Sequence, residues 1–579
     1  MYSSIHEDFK VPIFYNEQKR SINNNIIKEL EIIENYDASM SDCSISESVY
    51  GNKTVFKRPV HDQLVDLYTT DTSFLKEQQD MLKLFKKENF ESIFEEPILN
   101  CWEKLKNDSG FKEKYFYVEW QPIEFLNYND HFLQLVSVFN LTSPILSFCI
   151  PFIMLLIPFC IINLKGLKVS TQQYFEILKS IASTHALGKL FHNFNDVRLQ
   201  EKIYLLLSAA FYVFSIYQNV LLCIKFNSNI STIHQYFDVI KDYISKTLNR
   251  MNAYLDITNK LSSHTVFNEI LRKKMDIFIS LQSKVDKISP FQMSLSKFSQ
   301  VGYVLKTFYE LHDSKIHENV FSYSFGFNGY IDSMVHLSDN INDKHINFCS
   351  FTRKRKSSKL VDSYYLALKD KSPVKNNISI KNNLVITGPN ASGKTTTLKA
   401  TFLNIIFSQQ FGCGFYSNAI IKPFHHFHCY LNIPDTSGRD SLFQAEARRC
   451  KDVIDIINSN NKETHLCIFD ELYSGTNPDE AVSSAFGLMK YLTDKKKVNC
   501  LLTTHYYSLC SKLSTLANIK NYKMDSKVSD TKELHYNFKL IKGISTIKGG
   551  IHVLSKMNYP EEIMSEACQS VLTPDDALS

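Results

Sequence analysis

The stretch Leu384-Val-Ile-Thr-Gly388-Pro389-Asn390-Ala391-Ser392-Gly393-Lys394-Thr395-Thr396 decides how the chain reads. A short apolar strand runs into the pattern G-x-x-x-x-G-K-T, and Thr396–Phe407 continues as a helix. Glycines let backbone N–H groups curl around phosphates, a lysine reaches the terminal phosphates, a threonine hydroxyl holds Mg²⁺, and the helix N-terminus adds its dipole. Residues 388–396 therefore read as a nucleoside-triphosphate cradle, with Lys394 and Thr395 as its chemical groups, rather than as a structural glycine turn.

Two further strands fit that cradle. Leu466-Cys-Ile-Phe-Asp470-Glu471 is an apolar segment ending in two carboxylates, seventy-six residues after Lys394. Asp470 has the context to hold Mg²⁺ through water, and Glu471 to orient and deprotonate an attacking water. Leu501-Leu-Thr-Thr504-His505 ends in a histidine that can sense a γ-phosphate. Strand and helix signals alternate from here to the last residues, which predicts an α/β P-loop fold with a mostly parallel sheet covered by helices.

Five motifs then agree in kind and order with one family. Thr387 to Thr395, Gly438-Arg-Asp-Ser441-Leu-Phe443-Gln-Ala-Glu446, Asp470-Glu-Leu-Tyr-Ser-Gly475-Thr476, Thr504-His505-Tyr506, and the closing Tyr536-Asn-Phe-Lys-Leu with Gly550-Ile551, Pro560 and Ala567 resemble the MutS ATPase domain over about 375–570. The resemblance implies ATP and Mg²⁺ as cofactors and DNA as a partner. It also implies a dimer in which Ser441 reaches the γ-phosphate held by the second subunit, with Gly475-Thr476 passing information between the two sites. The chain departs from the family pattern at Ser441-Leu442-Phe443, where Ser-Thr-Phe is usual, and at Ala391-Ser392-Gly393, where Met-Gly-Gly is usual. Those departures point to a divergent branch. The family's Phe-x-Glu mismatch signature occurs at Phe94, Phe111, Phe267 and Phe469, which 42 phenylalanines make uninformative.

The rest of the chain bounds the reading. Its 579 residues allow several cores, and a net charge of +5 permits nucleic-acid binding without arguing for it. Thirteen cysteines without a C-x-x-C pair indicate reduced thiols in an intracellular compartment. No cationic apolar leader opens the sequence, so secretion is not expected. Residues 1–56 are polar, with an acidic Ser-rich patch from Asp37 to Glu47, and read as a flexible tail. Residues 57–340 read as a helical core and lever region, and 341–579 as the ATPase domain. Little length follows it for a C-terminal dimerisation extension.

Within the helical region, Phe74, Met81, Leu82 and Phe85 recur at helical spacing. Ile230, Ile233, Phe237, Ile240, Ile244, Leu248, Met251 and Leu255 form one stripe on a helix long enough to serve as a lever, with more helix over 267–288 and a break at Pro290. Two uncharged apolar runs, Leu141–Leu164 and Ile203–Ile224, are each long enough to cross a hydrocarbon layer of about 30 Å. Pro144, Pro151 and Pro158 in the first suit a membrane helix better than a soluble one, where an interior proline costs about 3 kcal/mol. The connector 165–202 carries six Lys/Arg, which by the positive-inside rule conflicts with a cytosolic ATP site; a re-entrant hairpin or two buried core helices would resolve it.

Other patterns weigh less. Arg353-Lys-Arg-Lys356 reads as a solvated loop. His425, His426, His428 and Cys429 read as structural, since no second ligand pair follows at zinc-like spacing. Ser441 lacks the G-x-S-x-G turn of a hydrolase nucleophile. Two functions stand: a MutS-like ATPase that clamps DNA with helical arms, and a membrane-attached ATPase of the same family without mismatch recognition. The ATP-binding half of an ABC transporter would need Leu-Ser-Gly-Gly-Gln before the acidic strand, and that motif is absent.

Overall fold

A computed structural model describes residues 2–35, 43–164, 170–184, 198–290, 299–352, 357–381, 383–431, 441–528, 534–547, 550, 554, 557 and 559–571. The chain divides into two compact units. The first takes Met1–Ser92, Asn249–Met275 and Phe321–Ser579, and the second takes Ile93–Leu248 and Asp276–Val320. The sequence boundaries at 56 and 340 differ from this division.

In the first unit β1 (Lys19–Ser21) and β2 (Leu67–Thr69) pair antiparallel. A mixed sheet follows from β3 (Asn347–Phe351), β4 (Ser358–Ser363) and β5 (Asn376–Ile380), with β7 (Cys413–Gly414) and β8 (Asn418–Ile421). The main sheet uses β6 (Asn383–Thr387), β9 (His426–Tyr430), β10 (His465–Asp470), β11 (Val498–Thr504), β12 (Ile519–Val528) and β13 (Leu534–Lys542), in the order β13-β12-β6-β11-β10-β9. Every pairing in it is parallel except β12 with β13. The parallel α/β expectation holds for this sheet, whereas the mixed sheet was not legible beforehand.

Both faces of a parallel sheet are covered, so its strands read as apolar runs rather than alternating ones. β6 is buried along its whole length. Helices α1 (Lys394–Phe411), α2 (Leu442–Ser459), α3 (Pro478–Thr493) and α4 (Tyr507–Ser514) follow β6, β9, β10 and β11. Val453, Ile457, Met489, Leu492, Leu509 and Leu513 pack with Cys467, Phe469 and Leu502 of the strands in one core. The twelve described cysteines are free thiols, as expected.

The flexible tail expected over 1–56 is overturned for its described residues. Ile5, Phe9, Val11, Ile22, Ile26, Leu30, Val49, Tyr50 and Phe56 are buried. Phe9 lies edge-on to Tyr323, 5.3 Å between ring centres, and Gly326 leaves room for it: a Cβ there would meet Phe9 Cβ at 2.5 Å. Arg20 forks onto Glu463 at 2.6 and 3.1 Å. The apolar residues sit in elements of three to seven residues, too short to show a helical or strand period, and their partners lie hundreds of residues away. Most of the acidic patch, 36–42, falls outside the described residues, as does 353–356.

The second unit is helical. Asp130–Leu164 is continuous through Pro144, Pro151 and Pro158, and Leu199–Thr258 joins the second apolar run and the lever stripe in one helix of 60 residues, of which those up to Leu248 belong to this unit and the rest to the first. The eight stripe residues from Ile230 to Leu255 are buried. The apolar runs are not buried within the described chain: Ile145, Phe148, Leu207, Phe211, Val213 and Phe214 are all exposed.

Candidate functional site

The register of the sheet assembles the site. Thr387 pairs with Thr504 across β6 and β11, and Asp470 pairs with Thr503 across β10 and β11. Three strands therefore end level, and the segments after them (Gly388–Gly393, Glu471 and His505) emerge together at the carboxyl edge, where open α/β sheets place their ligands.

The turn from β6 into α1 needs unusual backbone. Gly393 has φ +91° and Ala391 φ +62°, both left-handed, which glycine takes freely and alanine takes at a cost of about 1–2 kcal/mol. Asn390 and Ala391 form the turn, and Ser392 and Gly393 the bend that leads into the helix. α1 opens at Lys394 rather than Thr396, so Thr395 and Thr396 lie in its first turn. Lys394 is 5 % exposed, and its Nζ donates to Gly388 O at 3.0 Å, Pro389 O at 3.2 Å and Asn390 Oδ1 at 3.4 Å. Ser392 Oγ is buried with no hydrogen-bond partner among the described residues. A buried ammonium held by three neutral oxygens, with the Glu471 carboxylate also in reach, beside an orphaned hydroxyl and a helix N-terminus, suits phosphate oxygens.

The carboxylates separate in role by their surroundings. Thr395 Oγ1 donates to Asp470 Oδ2 at 2.7 Å, and Thr503 Oγ1 donates to Asp470 Oδ1. Burial pushes the Asp470 carboxyl above the usual carboxylate range, against the pull of those two hydroxyls. Glu471 Oε1 lies 3.5 Å from His505 Nδ1 and 3.4 Å from Lys394 Nζ. The hydrogen bond from His505, then the charge of Lys394, hold Glu471 below its usual range. Thr395 and Asp470 offer one hydroxyl and one carboxylate within reach of a single ion, the sparse oxygen set that Mg²⁺ takes when phosphates and waters complete its octahedron. Glu471 and Tyr473 both take positive φ, +51° and +59°. Non-glycine residues in that region cost about 1–3 kcal/mol each and cluster at functional loops.

Ser441 lies apart from this group. It is exposed and caps α2, accepting from Gln444 N at 3.3 Å while Gln444 Oε1 accepts from Ser441 N at 3.0 Å. The preceding Gly438-Arg-Asp falls outside the described residues. Two residues to which the sequence gave no role matter here. Glu446, 2 % exposed on α2, accepts from Ser474 N at 3.1 Å, Ser474 Oγ at 3.0 Å and Gly475 N at 3.3 Å, tying the Ser441 helix to the loop after Glu471. Phe538 of β13 lies over the phosphate loop, its ring 3.1 Å from where a Gly393 Cβ would stand. Asn376 fixes that strand, donating to Phe538 O at 3.0 Å and accepting from Leu540 N at 2.8 Å. Both stood inside quoted motifs, Glu446 in Gly438–Glu446 and Phe538 in Tyr536–Leu540, but nothing local marked either for these contacts.

A cleft of about 790 Å³ opens over the loop, its lining including Lys394, Thr395, Asp470 and Glu471 together with apolar Tyr365, Leu368, Pro373, Val374, Ile378 and Phe538. That is within the size range of small-molecule and cofactor sites, which pair apolar walls with a few polar groups. The histidines keep to structural work. His428 Nε2 lies 3.1 Å from His465 Nδ1, burial lowers the His428 pKa to about 3, and no group of three metal-ligating side chains occurs among the described residues.

Comparison with known proteins gives a resemblance over the C-terminal third. The model of MutS domain V matches residues 384–573. The chain is 29 % identical over 191 residues to the DNA mismatch repair protein MutS of Caldicellulosiruptor bescii, covering 32 % of this chain and 21 % of that protein. It is 25 % identical over 216 residues to the Endonuclease MutS2 of Clostridium novyi, covering 37 % and 27 %. With the DNA mismatch repair protein Msh3 of Dictyostelium discoideum the identity is 27 % over 214 residues, covering 34 % and 15 %. The match thus spans at most about a quarter of these MutS relatives; the cleft-lining residues from Ser363 to Ile378 precede the matched region, and those from Asn390 onward lie inside it.

Proposed function

We propose that this chain is a MutS-type ATPase whose paired domain V copies close on ATP and drive its helical region against DNA. The observation that carries the reading is the contact of Thr395 Oγ1 with Asp470 Oδ2 at 2.7 Å, with Lys394 and Glu471 beside it. Lys394 exchanges its loop carbonyls for β- and γ-phosphate oxygens, and the backbone of 388–396 cradles the chain of phosphates. The apolar lining of the cleft takes the base. Thr395 and Asp470 hold Mg²⁺, which neutralises charge on the phosphates. Glu471, kept ionised by His505 and Lys394, orients the attacking water and accepts its proton. His505 reports the γ-phosphate, and Ser441, exposed at the head of α2, completes the site on a second copy. The names of the relatives support DNA as the partner, in mismatch repair or in recognition of another DNA structure. A second reading, a membrane-attached ATPase without mismatch recognition, is favoured by the exposure of the two apolar runs.

The test is ATP retention and turnover with homoduplex, mismatched and branched DNA, with Lys394→Ala as the blank. Glu471→Gln should retain ATP and lose at least about a hundred-fold in rate. Wild-type protein that neither holds nor splits ATP overturns the ATPase reading. If no DNA binds or changes the rate, the DNA part fails.

A further inference from the structure

We infer that Leu141–Leu164 and Ile203–Ile224 form one antiparallel hairpin that inserts into the hydrocarbon of a lipid bilayer as a single slab. The inference deepens the membrane-attached reading, rests on it, and is independent of nucleotide chemistry.

The two runs were found separately in the sequence, yet the fold sets them level. Cys223 Sγ donates to Leu141 O at 3.6 Å, Asn219 Nδ2 donates to Ser147 Oγ at 2.6 Å, and Tyr212 OH donates to Ser147 O at 3.0 Å. Those pairs fix antiparallel helices in register. At equal rise, Leu164 at the end of its helix comes level with Leu199–Lys202 near the start of the other. Runs of 24 and 22 residues are about 36 and 33 Å long at 1.5 Å per residue, against about 30 Å of hydrocarbon. Charge stands at the ends of the slab and not within it: Lys225 at one level and Lys202 at the other.

The surface is wrong for a protein partner. On the second helix Ile203, Tyr204, Leu206, Leu207, Phe211, Val213, Phe214, Tyr217, Val220, Leu221, Leu222 and Ile224 are exposed. At about 100° per residue they spread over roughly 200° of the circumference, about twice the stripe that a helix gives to a packing partner. The remaining arc faces the first helix. Ser215 and Gln218 are exposed, but other polar groups of the slab are satisfied within the helices: Thr142 Oγ1 donates to Val138 O at 2.7 Å and Ser143 Oγ to Asn140 O at 3.2 Å, alongside the bonds between helices. Hydrocarbon demands that arrangement, since it offers no hydrogen bonds in return. Tyr204 sits at one end of the slab, and Tyr217 and Gln218 lie about 10 Å from Lys225, where headgroups are within reach.

The test is flotation of the full chain with vesicles of phosphatidylcholine alone, followed by alkaline carbonate. Wild type should float and stay with lipid through carbonate. Leu207→Lys/Phe211→Lys/Phe214→Lys should lose at least about ten-fold of the floated fraction, while Phe94→Lys, equally exposed but outside the slab, should float as wild type does. ATP retention by the triple variant checks that it folds, and Lys394→Ala should float normally. If the triple variant floats like wild type, attachment survives and the slab is refuted. Release by carbonate also refutes insertion. Wild type that stays at the bottom refutes both the slab and the membrane-attached reading, and a stable oligomer there would make this face a protein interface.

Discussion

Glu446→Ala tests the link between the Ser441 helix and the loop that follows Glu471. The carboxylate accepts three hydrogen bonds, two of them from the backbone of Ser474 and Gly475. Both loop residues are themselves exposed, so water takes over their N–H groups once the acceptor is gone. The applicable figure is then the net worth of a hydrogen bond, about 1 kcal/mol, rather than the larger cost of an orphaned buried donor. Three bonds amount to about 3 kcal/mol, roughly a hundred-fold in the population of the held loop. Hydrogen exchange at the amides of 474 and 475 reads that population directly. Protection should fall by about that factor, with ATP turnover falling too, because Glu471 stands three residues from the released segment. Glu446→Gln keeps one acceptor oxygen and should fall between. Unchanged exchange in Glu446→Ala would refute the reasoning, whatever happens to turnover.

Phe9→Ala should destabilise the first unit by about 3–5 kcal/mol in denaturant unfolding, since Phe9 is fully buried; a free tail would give no change. Gly475→Ala would bring a Cβ to 2.7 Å from Leu442 Cγ and 2.9 Å from Phe443 N, so the first turn of α2 must shift, at about 1–3 kcal/mol, visible as faster exchange there. The Asp470 carboxyl is raised by burial, so the folded state holds its proton more tightly than the unfolded chain does. The stability this gives is present below the unfolded value near 4 and is lost as pH rises through the raised folded value. At neutral pH Asp470→Asn should therefore raise the melting temperature of nucleotide-free protein while removing its Mg²⁺-dependent ATP turnover, and the gain should shrink on acidification.

The sequence by itself determined the nucleotide edge. Gly388 to Thr396, Asp470-Glu471 and His505 announce themselves because each is a local device: a strand, a turn that needs glycine, and a group presented at the strand's end. Local devices leave local patterns. The lever stripe from Ile230 to Leu255 was legible for the same reason, its period being that of one helix. Tertiary structure alone decided that the first 35 residues belong to the core, because Phe9 against Tyr323 and Arg20 against Glu463 are pairs separated by more than three hundred residues, and no periodicity marks them. It alone placed Glu446 under Ser474 and Phe538 over Gly393. It also showed that the two apolar runs are exposed among the described residues. Hydropathy is the same for a buried helix and an exposed one, and only the exposure of residues such as Phe211 and Phe214 tells them apart.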